Sequence, residues 1–145
     1  MNKEIEFKYI VIKDLGKLNL FVGKTELLLD LDKTLLNLLR KERQKPLKEQ
    51  VDWSWILWPE QKRGVPLHYS EMKDWIEGYL DYYNQLTFIT QSLDFIKAFV
   101  QVAQEKNETD IRLFRLEEYE DGSLDAIPYR LENILSSLER HLAFR

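Results

Sequence analysis

Apolar and polar residues alternate in three short segments near the start of the chain. In the segment 5–12, the residues that share one face are Ile5, Phe7, Tyr9 and Val11. Similar alternations follow at 18–22 and 25–31, and turns that contain glycine separate the three segments. This pattern predicts a three-stranded antiparallel β-meander.

Apolar residues at helical spacing predict about four helices further along the chain. Asp32 is a candidate N-cap for a first helix over 33–45, Ser70 is a candidate N-cap for the second, and the third helix is predicted from Ser92 to about Lys106. Pro128 suits the first turn of a last helix. Gly78 lies inside the second helix, where it can permit a close approach of another backbone.

The stretch "VDWSWILWPE" at 51–60 holds three of the four tryptophans and predicts a further strand. Its core face comprises Val51, Trp53, Trp55 and Leu57. Trp58 ends the opposite face and is expected to stay partly exposed. Two interpretations remain open: the irregular segment 59–69 covers Trp58, or Trp58 anchors a partner protein near the tyrosine-rich end of the second helix, where Tyr83 lies.

The segment 110–128 predicts a C-terminal β-hairpin that turns near Asp121 and Gly122. These elements together predict a single α+β domain over residues 1–145. Its sheet is the N-terminal antiparallel meander, extended by the tryptophan-rich strand and the C-terminal hairpin, and about four helices pack against it.

Composition narrows the classes of protein to consider. The 145 residues include no cysteine, which excludes disulfides and thiolate metal sites and fits a reducing compartment. No apolar run is long enough to cross a bilayer, and the N-terminus lacks the apolar core of a signal peptide. We therefore expect a cytoplasmic protein that makes no membrane contact.

The net charge of −4 is unevenly distributed along the chain. Residues 1–69 contain 13 Lys and Arg against 10 Asp and Glu, whereas residues 70–145 contain 8 against 15. An uneven distribution of this kind affects the choice of partner and the association rate rather than the fold.

The sequence "VGKTE" at 22–26 contains the Gly-Lys-Thr with which a phosphate-binding P-loop ends. The first glycine of that motif is missing, because Leu18 occupies its position. The stretch also falls between two predicted strands, so we predict a hairpin turn at Gly23 and Lys24.

The two histidines, His68 and His141, have no partner at the spacing of metal ligands or catalytic pairs. We therefore predict no metal, no cofactor and no catalytic residue.

The densest carboxylate group is "EEYEDGSLD", which includes Glu117, Glu118, Glu120 and Asp121. One interpretation of these carboxylates is a solvated hairpin turn. The other is an acidic surface that steers a basic partner protein into contact.

Three functional hypotheses follow. The leading one is a non-enzymatic protein–protein interaction module, with an inhibitor or immunity-type protein that neutralises a basic partner such as a nuclease toxin as its most specific form. Its predicted partner-binding residues are Trp58, Tyr83, Glu117, Glu118, Glu120 and Asp121. The second is a nucleic-acid-binding accessory protein that uses the basic and tryptophan-rich region 40–63, although the acidic net charge opposes nucleic acid. The third is a small enzyme whose site is dispersed along the chain.

Overall fold

The computed structural model describes residues 3–49 and 54–139. The α-helices in these residues are α1 (Thr25–Arg43), α2 (Tyr69–Leu80), α3 (Leu93–Glu105) and α4 (Leu131–Glu139), and a short 3₁₀ helix spans Leu47–Glu49. The strands are β1 (Glu4–Phe7), β2 (Ile10–Lys13), β3 (Leu18–Val22), β4 (Ser54–Leu57), β5 (Gln61–Lys62), β6 (Val65–Pro66), β7 (Leu86–Ile89), β8 (Ile111–Glu118) and β9 (Leu124–Arg130).

The central sheet has five strands in the order β4-β7-β3-β8-β9. The first four run parallel, and β9 is antiparallel to β8. Two separate antiparallel hairpins, β1–β2 and β5–β6, complete the strands. The predicted α+β class, the four helices and the C-terminal hairpin are confirmed.

Apolar clusters cover both faces of the sheet. On one face, side chains of α2, α3 and α4 pack against the sheet, and this cluster includes Met72, Phe99 and Ile134. On the other face, α1 and the β1–β2 hairpin pack against the sheet through residues such as Leu28 and Phe7. A mostly parallel sheet needs both covers, because its strands are buried on both sides.

The predicted N-terminal meander is wrong in its pairing and in its third strand. The strand at 18–22 lies in the middle of the sheet between two parallel neighbours, and all five of its residues are buried. The segment 25–31 is the start of α1, because leucines at 27, 28, 31 and 35 form a helical stripe and leucine favours helix. The segment 5–12 is two strands, since the backbone turns at Lys8 with φ 54°.

Two predicted helix starts are also wrong. Asp32 lies inside α1, where its carboxylate accepts a hydrogen bond from the Trp55 indole N–H at 2.9 Å. Pro128 lies in β9, an edge strand, which tolerates a residue without a backbone N–H. The predicted span of α3 is confirmed to within one residue at each end, and Ser92 is its N-cap, because the N–H of Phe95 donates to the Ser92 hydroxyl at 3.1 Å. Helix α2 begins at Tyr69, with His68 instead of Ser70 as its N-cap.

The tryptophan-rich strand joins the sheet as its edge strand β4. Trp55 and Leu57 pack against the cluster under α1, and Ile56 packs against the opposite cluster. Val51 and Trp53 lie outside the described residues. In the described part of this stretch, both faces of β4 therefore pack against the apolar core.

Gly78 has no close neighbour, so the predicted close backbone approach is wrong. A Cβ atom built on Gly78 meets nothing within 4 Å. We expect Gly78→Ala to raise the free energy of unfolding by about 0.5–1 kcal/mol, because alanine loses less conformational freedom in a helix than glycine. Urea denaturation followed by circular dichroism measures this difference, and a destabilised Gly78→Ala variant would contradict it.

Candidate functional site

The C-terminal hairpin carries its carboxylates at the tip that joins β8 to β9. We call residues 117–122 the acidic tip. The turn is closed by backbone hydrogen bonds from Gly122 to Tyr119 and from Tyr119 to Ser123, both 2.9 Å long. Glu117 and Glu118 end β8, and Glu120 and Asp121 follow in the exposed turn. The predicted turn near Asp121 and Gly122 is confirmed.

The four predicted carboxylates have different surroundings. Glu117 forms an ion pair with Arg115, with Oε1 and Nε 3.1 Å apart. Asp121 accepts hydrogen bonds from the hydroxyl of Ser123 at 2.5 Å and from its backbone N–H at 2.9 Å, and these bonds lower the pKa of the Asp121 carboxyl. Asp121 therefore has a structural role in the turn. Glu118 and Glu120 are exposed.

The turn of the β1–β2 hairpin contacts the acidic tip. The hydroxyl of Tyr9 donates a hydrogen bond to the carbonyl of Gly122. Lys8 forms an ion pair of 2.9 Å with Asp30 of α1. The hydrogen bond to Asp30 raises the pKa of the Lys8 ammonium, and the charge of Glu118 acts in the same direction. Two hairpins that are distant in sequence thus meet at one end of the molecule. We call the turn at Lys8 and Tyr9, together with the acidic tip, the composite end.

Two exposed tyrosines belong to this composite end. The side chain of Tyr9 is 66% exposed and that of Tyr119 is 48% exposed. An exposed tyrosine offers a large apolar ring with a polar hydroxyl, which is the chemistry of many interface anchors. The acidic tip and the adjoining β1–β2 turn therefore present two tyrosine rings as well as charge.

Trp58 and Tyr83 do not join the acidic tip or each other. Trp58 follows the carboxyl end of β4, is half-buried, and packs against the cluster under α1. Tyr83 precedes the amino end of β7, and its ring stacks on Tyr79 with centroids 5.6 Å apart. Because β4 and β7 are parallel, these two aromatic side chains lie towards opposite ends of the sheet.

The Gly-Lys-Thr stretch connects a strand to a helix, so the predicted hairpin turn at Gly23 and Lys24 is wrong. Gly23 and Lys24 join β3 to α1, next to the loop that joins β7 to α3. The Gln91 side-chain amide donates to the Gly23 carbonyl at 3.0 Å and to the Thr25 hydroxyl at 3.1 Å. A two-residue loop is too short to wrap a phosphate in the manner of a P-loop.

The region 40–63 supplies cations but few rings that a base could stack on. Trp55 and Trp58 are half-buried in the cluster under α1, and the indole N–H of Trp55 is bonded to Asp32. Stacking of bases requires open aromatic faces. The nucleic-acid hypothesis assumes a basic surface with open aromatic rings beside it. The described part of the region 40–63 has the basic residues but not the open rings.

Two clefts at the amino ends of the strands hold charged side chains that are already paired. One, of about 320 Å³, is lined in part by the ion pairs Lys17–Glu108 at 3.0 Å and Lys106–Asp81 at 2.7 Å. The other, of about 490 Å³, contains Arg112. Its guanidinium is 3.1 Å from Asp110.

Neither a metal cluster nor a bilayer-spanning helix occurs in the described residues. No three or more His, Cys, Asp or Glu side chains there are grouped in a way that could hold a metal ion. Within the same ranges, no helix is both long and apolar enough to cross a bilayer. His68 is the N-cap residue of α2, and His141 lies beyond the described residues.

Tyr9 and Tyr119 were not predicted as site residues. The alternation at 5–12 predicts that Tyr9 lies on a buried face. The turn at Lys8 contains neither glycine nor asparagine, the residues from which a turn with positive φ is usually predicted. The exposure of Tyr119 could have been predicted, because a tyrosine between glutamates in a predicted turn has no apolar neighbours in sequence to bury it.

Comparison of the chain with protein-family models, with curated proteins and with solved structures finds no match.

Proposed function

We propose that this protein is a non-enzymatic interaction module that binds a basic partner protein through the acidic tip and Tyr9. The observation that carries the proposal is the juxtaposition of exposed carboxylates with two exposed tyrosines at one end of the molecule. Charge steers the encounter, and apolar rings that become buried slow dissociation.

The local charge balance supports a basic partner. Two cations beside the acidic tip, Lys8 and Arg115, form ion pairs with Asp30 and Glu117 respectively. Glu118 and Glu120 are exposed, so a basic partner can reach both carboxylates from solvent. Tyrosine rings also attract ammonium and guanidinium groups through their faces, so the rings and the carboxylates favour the same kind of partner.

The most specific form of the proposal is an inhibitor or immunity-type protein that neutralises a basic partner such as a nuclease toxin. Blocking such a partner needs affinity and a fast encounter and no chemistry of its own. A fold without cysteine keeps its stability in a reducing compartment, and the proposal places the interaction in the cytoplasm. Trp58 and Tyr83 lie outside the proposed surface.

Neutralising the acidic tip tests the proposal. We expect the double variant Glu118→Gln/Glu120→Gln to keep its free energy of unfolding within about 0.5 kcal/mol of the parent, as most surface substitutions do. Its association rate constant with a partner captured from the native host should fall roughly tenfold at low salt, because steering is lost. Surface binding kinetics at low and physiological salt measure both the rate and its salt dependence.

The matched control is Asp74→Asn/Glu77→Gln, which removes two exposed charges from α2. This control should associate at a rate close to that of the parent. Tyr9→Ala should act mainly on the dissociation rate, because an apolar anchor holds the complex after encounter. If the tip variant and the control associate equally fast at both salts, the acidic tip is a solvated turn and the proposal fails.

A further inference from the structure

The turn of the acidic tip contains the dipeptide Asp121–Gly122, the only place in the chain where Asp or Asn precedes Gly. An aspartate before glycine is chemically reactive, because glycine has no side chain to shield the backbone nitrogen that follows the aspartate. Both residues are exposed, and a Cβ atom built on Gly122 meets nothing within 4 Å. Water therefore reaches the reacting atoms of this dipeptide in the folded protein.

We propose that Asp121–Gly122 is a site of spontaneous isomerisation to isoaspartate, and that the hydrogen bonds of the turn hold this reaction back in the folded protein. The reaction needs water and no other reactant. The backbone nitrogen of Gly122 attacks Cγ of the protonated Asp121 carboxyl. The new N–Cγ bond closes a succinimide ring, and the hydroxyl of the carboxyl leaves as water together with the amide proton. Water then opens the ring at either carbonyl, which gives aspartate or isoaspartate.

The first restraint acts on the attacking nitrogen. The N–H of Gly122 donates to the Tyr119 carbonyl at 2.9 Å, and the N–H of Tyr119 donates to the Ser123 carbonyl at the same distance. The hydroxyl of Tyr9 also donates to the Gly122 carbonyl. The nitrogen must lose its proton and turn towards the Asp121 side chain, so its hydrogen bond must break before it attacks. Attack therefore follows a local opening of the turn, which costs free energy.

The second restraint acts on the carboxyl that is attacked. Asp121 accepts hydrogen bonds from the hydroxyl of Ser123 at 2.5 Å and from its backbone N–H at 2.9 Å. These bonds stabilise the carboxylate and lower the pKa of the Asp121 carboxyl. The carboxylate is a poor electrophile, because its oxygen cannot leave as water without a proton. Ser123 therefore protects Asp121 from attack.

Isomerisation would change the shape of the acidic tip without changing its charge. In isoaspartate the main chain passes through the former side chain of Asp121, which adds one methylene to the backbone, and the carboxylate remains on the α-carbon. The added length lies directly before the N–H and carbonyl of Gly122, which bond to Tyr119 and Tyr9. The closed turn and its contact with the β1–β2 hairpin would therefore lose their present geometry.

The rate at which isoaspartate forms at position 121 of the whole chain tests the proposal. Samples are incubated at neutral pH, digested, and measured by liquid chromatography and fragmentation of the tip peptide. We expect the parent to react at least about tenfold faster in urea than when folded, because unfolding removes all of these hydrogen bonds. Folded Ser123→Ala should react roughly fivefold faster than the folded parent, because the hydroxyl bond is lost. Ser123→Thr keeps a hydroxyl and should react as slowly as the parent.

Asp121→Glu is the control for the chemistry, because its longer side chain closes the corresponding imide far more slowly. Absence of isoaspartate from the parent in urea would overturn the assignment of the site. Equal rates for the folded and the unfolded parent would overturn the protection by the turn, and so would a Ser123→Ala variant that circular dichroism shows to be folded and that reacts no faster than the parent. These rates are measured on the free protein, so their outcome is independent of the proposed function.

Discussion

Phe88→Ala is expected to lower the free energy of unfolding by about 3–5 kcal/mol, as truncation of a fully buried aromatic residue does. Phe88 lies on β7 and is completely buried. Its ring is 5.9 Å from that of Trp75 and 5.3 Å from those of Phe95 and Phe99, centroid to centroid. The change removes a ring that α2 and α3 both contact, so a cavity remains between the two helices and the sheet.

The matched control for Phe88→Ala is Tyr82→Ala, because Tyr82 ends the same chain of rings at the surface. Tyr82 is 81% exposed, and its ring meets that of Tyr83 with centroids 5.4 Å apart. Its truncation should cost no more than about 0.5 kcal/mol. Guanidinium denaturation followed by circular dichroism measures both variants. Equal losses from the two changes would show that the aromatic cluster is not the core between the sheet and α2 and α3.

Local signals predicted the elements whose boundaries depend on neighbouring residues alone. Helix α3 begins at Leu93, next to its predicted start at Ser92, and the predicted turn near Asp121 and Gly122 closes the C-terminal hairpin. The acidic tip could be predicted for the same reason, since the turn and its charges are read from one short stretch. In these places intrinsic preference and tertiary packing agree.

The leucine-rich segment 25–31 shows why the meander could not be distinguished from a helix. Leu27, Leu29 and Leu31 fit a period of two, while Leu27, Leu28 and Leu31 fit a period of 3.6. The choice depends on the partner that the segment buries itself against. Because β3 is paired on both sides by parallel strands, the segment after it must leave the sheet and cross over, usually as a helix.

The composite end of the molecule was only half predictable, because it joins residues more than a hundred positions apart. The carboxylates of the tip are visible in sequence, whereas the contact between Tyr9 and Gly122 requires the fold. Tyr9 leaves the core because the chain turns at Lys8, a residue without any preference for positive φ. Tertiary packing sets this turn, so periodicity alone assigned Tyr9 to a buried face.

Asn19→Leu is expected to lower the free energy of unfolding by about 2–4 kcal/mol, from two lost hydrogen bonds and an unsatisfied buried group. Asn19 is fully buried in β3. Its carboxamide oxygen accepts from the N–H of Gly16 at 2.9 Å, and its NH₂ donates to the Gly16 carbonyl at 2.9 Å. Leucine has a similar volume but offers neither a donor nor an acceptor.

The cost of Asn19→Leu should arise mainly from Gly16. The Gly16 carbonyl keeps a second partner, the Gln85 side-chain amide at 2.9 Å, whereas the N–H of Gly16 loses the acceptor that Asn19 provides. A buried donor left without an acceptor costs about 1–3 kcal/mol.

Gln104→Leu on the exposed side of α3 is the matched amide control and should change stability by no more than about 0.5 kcal/mol. Amide hydrogen exchange of Gly16 separates the causes: faster exchange in Asn19→Leu than in the parent, beyond the change in global stability, locates the loss at this N–H. Unchanged stability would mean that the turn before β3 does not need the Asn19 carboxamide.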